Sequence, residues 1–119
     1  MEKYVYFTED EFNKLTPSCS LSDMDSDFMH KLDYARSIAG VPFILNSAFR
    51  SKEWDISKGR SGNSWHTKGM AVDIRCTDSN IRFRIVEGLI SSGFRGIIVY
   101  PRFIHVDLRD TRKVFLYGK

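Results

Sequence analysis

Residues 64–75 read SWHTKGMAVDIR, and the predicted site and fold are built around this stretch. It places His66 and Asp73 at the two ends of a turn that contains Gly69, and the residues after the glycine are typical of a strand. A carboxylate in the middle of an apolar strand needs a cation or hydrogen-bond donors to offset its desolvation. For Asp73 that partner is either a metal ion or a side chain such as Arg75.

A second stretch, 103–107, reads FIHVD and supplies another histidine. Its period of two places His105 and Asp107 on the same face of a strand. Together with His66 and Asp73, His105 makes a set of two nitrogens and one oxygen, which suits zinc at ~2.0–2.2 Å per bond. Three protein ligands leave a fourth position open for water, as a catalytic zinc requires.

The two cysteines, Cys19 and Cys76, argue against a structural zinc site. Structural zinc is normally closed by four protein ligands, commonly thiolates, and these cysteines lack CxxC spacing. The N-terminus has no long apolar run and no cleavage site, so it does not predict a secretory signal. We therefore expect cytoplasmic synthesis without a signal peptide, and two free thiols.

Length and composition predict one globular domain over residues 1–119. The chain has 42% hydrophobic and 28% charged residues, which is ordinary for a single core. Its net charge of +3 comes from scattered Lys and Arg, so nothing favours a nucleic-acid partner, while a mild attraction to a polyanionic bacterial wall stays open. No stretch approaches the ~20 apolar residues of a membrane helix. We expect a monomer.

Two helices are predicted in the N-terminal third. A capping box of Thr8 and Glu11 opens a short helix. Ser22 or Asp23 caps a longer helix that ends at Gly40 and forms a main wall of the core. The inward residues of the longer helix recur at helical spacing: Phe28, Leu32, Ala35 and Ile38 or Ala39.

Residues 41–45 are predicted to form a strand that delivers Arg50 in the loop at its end. Arg50 is either a surface residue in a solvent-screened pair with Glu53 or Asp55, or a guanidinium fork that holds a substrate carboxylate or carbonyl. The polar segment 51–63 is predicted to be a loop, which acts either as a flap beside the site or as a plain connector.

The C-terminal half predicts one helix and three strands. Asp78 or Ser79 caps the helix, which runs through about residue 90. Strand 97–100 turns back into strand 103–107, and 114–117 forms a last edge strand. The inward residues expected of the helix are Ile81, Ile85 and Leu89, with Phe83, Val86 and Ile90. These elements indicate an α+β domain with a small, largely antiparallel sheet flanked by helices.

The pattern Ser64-x-His66-x-x-Gly69-x-Ala71-x-Asp73, preceded by SAFRS at 47–51 and followed by the strand-borne His105, resembles a known family. It is similar to the zinc peptidases of bacterial cell walls. These are the D-alanyl-D-alanine carboxypeptidases and dipeptidases and the L-alanyl-D-glutamate endopeptidases of phage lysins, which share the hedgehog-like fold. The resemblance spans roughly residues 43–107.

This resemblance implies a function and a set of roles. Zn²⁺ is held by His66, Asp73 and His105, while Arg50 binds the substrate or polarises the reacting carbonyl and Ser64 hydrogen-bonds the ligand. The implied activity is hydrolysis of peptidoglycan stem peptides, of D-Ala-D-Ala carboxypeptidase or L-Ala-D-Glu endopeptidase type. The compact length resembles small phage-encoded members, which act at the bacterial cell wall after release into the host.

One position departs from the family pattern. Many relatives carry an acidic general base three residues before the last histidine ligand, where this chain has Arg102, and arginine cannot accept a proton at neutral pH. Asp107 is the nearest replacement, because it shares a face with His105. Asp107 is alternatively an acceptor that orients His105, or a partner of Arg109. An inert zinc-containing module that binds wall peptide, or a phage structural component, is therefore the alternative function.

Overall fold

The structure is a computed structural model that describes residues 4–110 and the backbone of residues 116 and 117. Two 3₁₀ helices accompany the regular elements, at Leu21–Asp23 and Trp65–Lys68. The helices are α1 (Glu9–Asn13), α2 (Ser26–Ala39), α3 (Lys52–Ser57) and α4 (Ser79–Ser91). The strands are β1 (Leu45–Ser47), β2 (Ala71–Arg75), β3 (Gly96–Val99), β4 (Phe103–Asp107) and β5 (Leu116–Tyr117).

The five strands form one sheet in the order β1-β2-β4-β3-β5. Neighbours among the first four are antiparallel, and β5 lies parallel to β3 at the edge. The predicted α+β class is confirmed. The register of the β2–β4 pair sets Asp73 opposite His105, which positions the candidate site.

The two faces of the central strands differ in what they carry. Val72 and Ile74 of β2, with Ile104 and Val106 of β4, are fully buried in the core together with residues of α2 and α4. Because side chains alternate along a strand, the residues between them project from the other face of the sheet. The metal-ligand candidates therefore lie on the face opposite the core.

Both N-terminal helices form, but the second begins later than predicted. The capping box of α1 is present, with the Thr8 N–H donating to Glu11 Oε2 at 2.9 Å. The N-cap of α2 is Asp25, whose carboxylate accepts from the Phe28 N–H at 2.9 Å. The assignment to Ser22 or Asp23 was wrong, because these residues belong to the preceding 3₁₀ turn.

Glycine decides how α4 meets α2. A Cβ at Gly88 would lie 2.5 Å from the carbonyl oxygen of Ala35, so the two helices approach through backbone contact. The face of α4 that contains Gly88 also buries Ile85 and Leu89, as predicted. The apolar side chains off this face are exposed, so their predicted burial was wrong: Ile81, Phe83 and Ile90. In α2 the predicted stripe is buried, with Ala39 as its last member.

Strand β1 begins at Leu45, the last residue of the predicted strand 41–45. The predicted bounds of this strand were therefore wrong. Pro42 has no N–H to donate to a ladder, and the backbone bond that anchors this region is Arg75 N–H to Ile44 O at 2.7 Å. Phe43 is nevertheless fully buried. The chain therefore uses an extended apolar segment as core before pairing begins.

The prediction of a loop over 51–63 was also wrong, because α3 occupies Lys52–Ser57. The Ser51 hydroxyl caps this helix by accepting from the Trp54 N–H at 3.0 Å. A serine N-cap is a recognisable start signal, but a helix this short shows no apolar periodicity.

The remaining predictions concern the tail and the cysteines. Backbone pairing of β5 with β3 agrees with the predicted edge strand, and residues 114 and 115 lie outside the described residues. Cys19 and Cys76 are both buried free thiols. Among the helices of the described residues, none combines the length and the apolar character needed to cross a membrane.

Candidate metal centre

Three different elements supply the candidate ligands. His66 lies on the 3₁₀ helix Trp65–Lys68, which ends at Gly69 with φ 70°. A Cβ at that glycine would collide with the backbone oxygen of Asp23, so both the φ angle and the space require glycine. Asp73 lies on β2 and His105 on β4, side by side in the sheet register.

The side chains of His66, Asp73 and His105 converge as predicted, with one potential ligand atom from each lying within 4.8 Å of the others. Asp73 Oδ1 is 3.0 Å from His105 Nδ1 and 3.5 Å from His66 Nε2. Tetrahedral ligands at zinc bond lengths lie roughly 3.3–3.6 Å apart. The donor set therefore fits zinc in its chemistry, and the Asp73–His66 distance lies in this range, while the shorter Asp73–His105 distance is that of a direct hydrogen bond.

The outward nitrogens of both imidazoles are held by acceptors. His66 Nδ1 lies 2.8 Å from the Ala48 carbonyl oxygen, and His105 Nε2 lies 2.7 Å from Asp107 Oδ2. Because a carbonyl or carboxylate oxygen accepts hydrogen bonds, each outward nitrogen carries a hydrogen. The inward nitrogens, His66 Nε2 and His105 Nδ1, are then the ones that face Asp73 and can offer a lone pair to a cation.

The electrostatics of the centre favour positive charge. Burial by itself would raise the pKa of Asp73, but hydrogen bonds from His105 and His66 outweigh it and hold that pKa below its ordinary range. Burial would lower the pKa of His105, yet its bonds to Asp107 and Asp73 raise the pKa to about 9. The carboxylates of Asp73 and Asp107 thus stabilise a proton on His105, and a metal cation bound between the ligands can replace this proton.

Asp107 is fully buried, and both of its oxygens are engaged. Besides the bond with His105, Oδ1 accepts from the backbone N–H and the Nε–H of Arg109 at 3.0 and 2.9 Å, and Oδ2 accepts from Arg109 Nη2 at 2.7 Å. Burial raises the pKa of Asp107, but these bonds outweigh it and lower the pKa to about 2. A contact with His105 and a contact with Arg109 were the sequence-based alternatives for Asp107, and both contacts are present.

The position of the Asp107 side chain depends on Gly96, the residue opposite it on β3. A Cβ built on Gly96 would overlap Asp107 Oδ1 and crowd Arg109 Cγ at 2.8 Å. The absence of a side chain at Gly96 therefore lets the carboxylate lie against β3 and reach His105.

Arg50 and Ser64, the predicted substrate-binding residues, are joined by a buried carboxylate. Arg50 Nε lies 2.9 Å from Asp55 Oδ1, although its N–H is not directed at that oxygen, so the attraction is ionic. The Ser64 hydroxyl donates to Asp55 Oδ2 at 2.9 Å. The sequence suggested Asp55 only as a solvent-screened partner of Arg50, whereas its side chain is 0% exposed.

Ser47 was missed as a residue of the centre. Its hydroxyl donates to Asp73 Oδ2 at 2.8 Å, and it lies opposite Asp73 in the β1–β2 pair. The predicted strand ended at residue 45, so the prediction did not place Ser47 beside Asp73. Arg102 is exposed in the turn between β3 and β4, and His30 is exposed on α2 with its ring against Tyr4.

The chain is thus a small α+β domain with a His-Asp-His group that could hold a metal ion, two of whose members lie on the sheet. Residues 5–107 match the family model described as Peptidase M15, so the chain belongs to the Peptidase M15 family. Members of this family are generally zinc-dependent metallopeptidases, and the resemblance inferred from the sequence is confirmed at that level. A search of curated proteins found no match.

Proposed function

We propose that this chain is a zinc-dependent peptidase that hydrolyses peptide bonds in peptidoglycan stem peptides at the bacterial cell wall. The convergence of His66, Asp73 and His105, with each outward imidazole nitrogen held by an acceptor, carries this proposal. The bond class is that of a D-Ala-D-Ala carboxypeptidase or an L-Ala-D-Glu endopeptidase. The setting of a small phage-encoded enzyme is part of the same proposal.

The metal would be held by His66 Nε2, one oxygen of Asp73 and His105 Nδ1. Zinc bound there would supply Lewis acidity and would lower the pKa of a water molecule to ~7. Ser47 orients Asp73 by donating to its other oxygen, so the carboxylate presents Oδ1 toward the imidazoles.

The substrate is oriented by residues beside the centre. Arg50 carries a fork of N–H donors that suits a carbonyl or carboxylate oxygen of the peptide. Its backbone N–H donates to the His66 carbonyl at 3.2 Å, which ties its position to the metal-ligand segment. Arg50→Ala is expected to weaken binding of both substrate and transition state, which would appear in KM and in kcat.

The contacts of Asp107 favour a positioning role over the role of general base. A general base works best when its pKa lies near the operating pH and a lone pair faces the proton to be taken. Both oxygens of Asp107 are occupied by His105 and Arg109. We assign Asp107 to holding the ring of His105.

The direct test incubates purified peptidoglycan with the protein, with zinc added and with a chelator, and measures the release of free amines. Amines released only in the presence of zinc would support the proposal, and mass spectrometry of the muropeptides would identify the bond through the new termini. His105→Ala should abolish release, whereas His30→Ala, a histidine on α2 away from the centre, should not. Release that persists at full rate in the chelator would refute zinc catalysis.

A second candidate is a zinc-containing module that binds wall peptide without cleaving it. The observation in its favour is that Arg102 stands at the usual acidic position while Asp107 is occupied by Arg109. Zinc-dependent retention on sedimented peptidoglycan with no amine release would establish this function in place of hydrolysis.

A further inference from the structure

Asp55 is a buried carboxylate that the metal centre does not use. Its side chain is 0% exposed on α3, and three side chains contact it. Arg50 Nε is 2.9 Å and Arg60 Nη1 is 3.5 Å from Oδ1, and the Ser64 hydroxyl is 2.9 Å from Oδ2. Arg50 is itself only 12% exposed, whereas Arg60 is 47% exposed.

Stability alone is a weak reason for such a group. Removing a carboxylate from water is costly, and a buried ion pair often stabilises a fold no better than apolar residues of similar volume. Two of the three side chains that contact Asp55, Arg50 and Ser64, are residues proposed to bind substrate. A role in presenting Arg50 and Ser64 accounts for the burial better than a role in the core.

The hydrogen bond from Ser64 sets the polarity of that side chain. A serine hydroxyl has one hydrogen, and Ser64 donates it to Asp55. What Ser64 can offer a ligand is therefore its lone pairs, which accept from an N–H. Arg50 has donors and no acceptor. One buried carboxylate thus leaves an acceptor and a donor beside each other, matching the N–H and C=O of a peptide.

The backbone links this cluster to the metal-ligand segment. The Arg50 N–H donates to the His66 carbonyl oxygen at 3.2 Å, and Ser64 is the N-cap of the 3₁₀ helix that carries His66. The cluster therefore borders the metal centre through the same segment that supplies a ligand.

We propose that Asp55 is a positioning residue that holds Arg50 as a donor and Ser64 as an acceptor toward the peptide substrate. This inference rests on the proposed peptidase function for its kinetic consequences. The segment 51–64 is then part of the substrate site, which replaces the sequence-based alternatives of a flap or a plain connector.

A double-mutant cycle on stem-peptide hydrolysis tests the coupling. Asp55→Asn preserves the shape of the side chain and removes its charge, and we expect kcat/KM to fall about 10–100-fold with zinc content and thermal unfolding unchanged. In a background that carries both Arg50→Ala and Ser64→Ala, the same change should cost less than about threefold, because both residues through which Asp55 acts are gone. Equal losses in the two backgrounds would overturn the proposal.

A second readout needs no activity. The Arg50 Nε atom is shielded from solvent, so its N–H should give a slowly exchanging signal in ¹⁵N-correlated spectra. Asp55→Asn should accelerate this exchange, and an unchanged signal would overturn the proposal. If the wild-type protein releases no amines, the proposed function fails, and this spectrum still decides whether Asp55 positions Arg50.

Two variants complete the design. Should Asp55→Asn not fold, Ser64→Ala should still shift the Arg50 signal, because the two side chains share one carboxylate; no shift would count against the proposal. Asp33→Asn is the matched control, since Asp33 accepts from the backbone N–H groups of Val5 and Tyr6 at 2.9 Å and contacts neither Arg50 nor Ser64. Neither the spectrum nor the kinetics should change in that control.

Discussion

The metal centre and the Asp55 cluster are two neighbouring polar sites that the fold builds by different means. In the metal centre Asp73 and His105 lie on paired strands, where the register sets their distance. In the Asp55 cluster the groups come from a six-residue helix and the loops on either side of it. The metal centre is positioned by the regular hydrogen bonding between β2 and β4. The Asp55 cluster depends instead on the conformation of the segment 50–64.

The largest effects are expected from breaking the metal centre itself. His66→Ala, Asp73→Ala or His105→Ala should each lose bound zinc, with a loss of affinity beyond the 10–100-fold typical of outer partners, and should lose activity with it. Elemental analysis of the purified variants measures this, with His30→Ala as the histidine control. Full zinc content in all three variants would contradict the ligand assignment.

Asp107→Asn removes the charge behind His105 while keeping its shape. Because Asp107 orients the ring, we expect zinc affinity to fall about 10–100-fold, measured by competition with a chelator of known affinity. Asp33→Asn should leave zinc affinity unchanged. Unaltered affinity together with lost turnover would instead support the role of general base.

Gly96→Ala perturbs the same carboxylate from the neighbouring strand. The added Cβ overlaps Asp107 Oδ1, so we expect about a tenfold loss of zinc affinity and a destabilisation of roughly 1–3 kcal/mol. Gly59→Ala is the control, because a Cβ at Gly59 would have open space, with nothing within 4 Å, although its φ is 81°. That control should lose stability through its backbone angle and keep its zinc affinity. Equal zinc affinity in the two variants would show that Asp107 does not depend on Gly96.

The smallest effect is expected from losing the N-cap of α3, the helix that carries Asp55. Ser51→Ala removes the N-cap of α3 and should destabilise the protein by about 1 kcal/mol, seen in denaturant unfolding, with zinc content intact. Ser57→Ala, which removes an exposed hydroxyl donating to the Trp54 carbonyl, should cost less. A loss of zinc in Ser51→Ala would show that the metal centre depends on the folding of α3, and that the metal centre and the Asp55 cluster are not independent.

The residues that sequence analysis placed well share a simple local rule. Asp73 and His105 lie on strands whose period of two assigns each side chain to a face, and Thr8, Gly40 and Asp78 act through caps that depend on adjacent residues. The contacts that were missed join residues brought together by the fold. Ser47 meets Asp73 across 26 residues of sequence, and Ala48 meets His66 across 18.

The misplaced elements follow the same division. Ile81, Phe83 and Ile90 fit an apolar stripe by spacing, but the contact of Gly88 with α2 decides which face of α4 is buried. The helix α3 is too short to show periodicity, so its composition indicated a loop. Secondary-structure propensity and hydrophobic periodicity describe one helix or strand at a time. Packing against neighbouring elements decides which of two apolar faces of a helix is buried.

By itself the sequence determined the α+β class, the membership of a zinc peptidase family, and the three residues proposed to bind the metal. The class follows from residue types at fixed spacing, because a strand turns its side chains by a constant amount, whereas the family and the ligand set follow from the resemblance of the motif around His66 to known zinc peptidases. Tertiary structure alone decided that Asp107 is enclosed by His105 and Arg109, and that Asp55 is buried between Arg50 and Ser64. Hydrogen bonding and desolvation depend on which groups meet in space, and spacing along the chain does not contain that information.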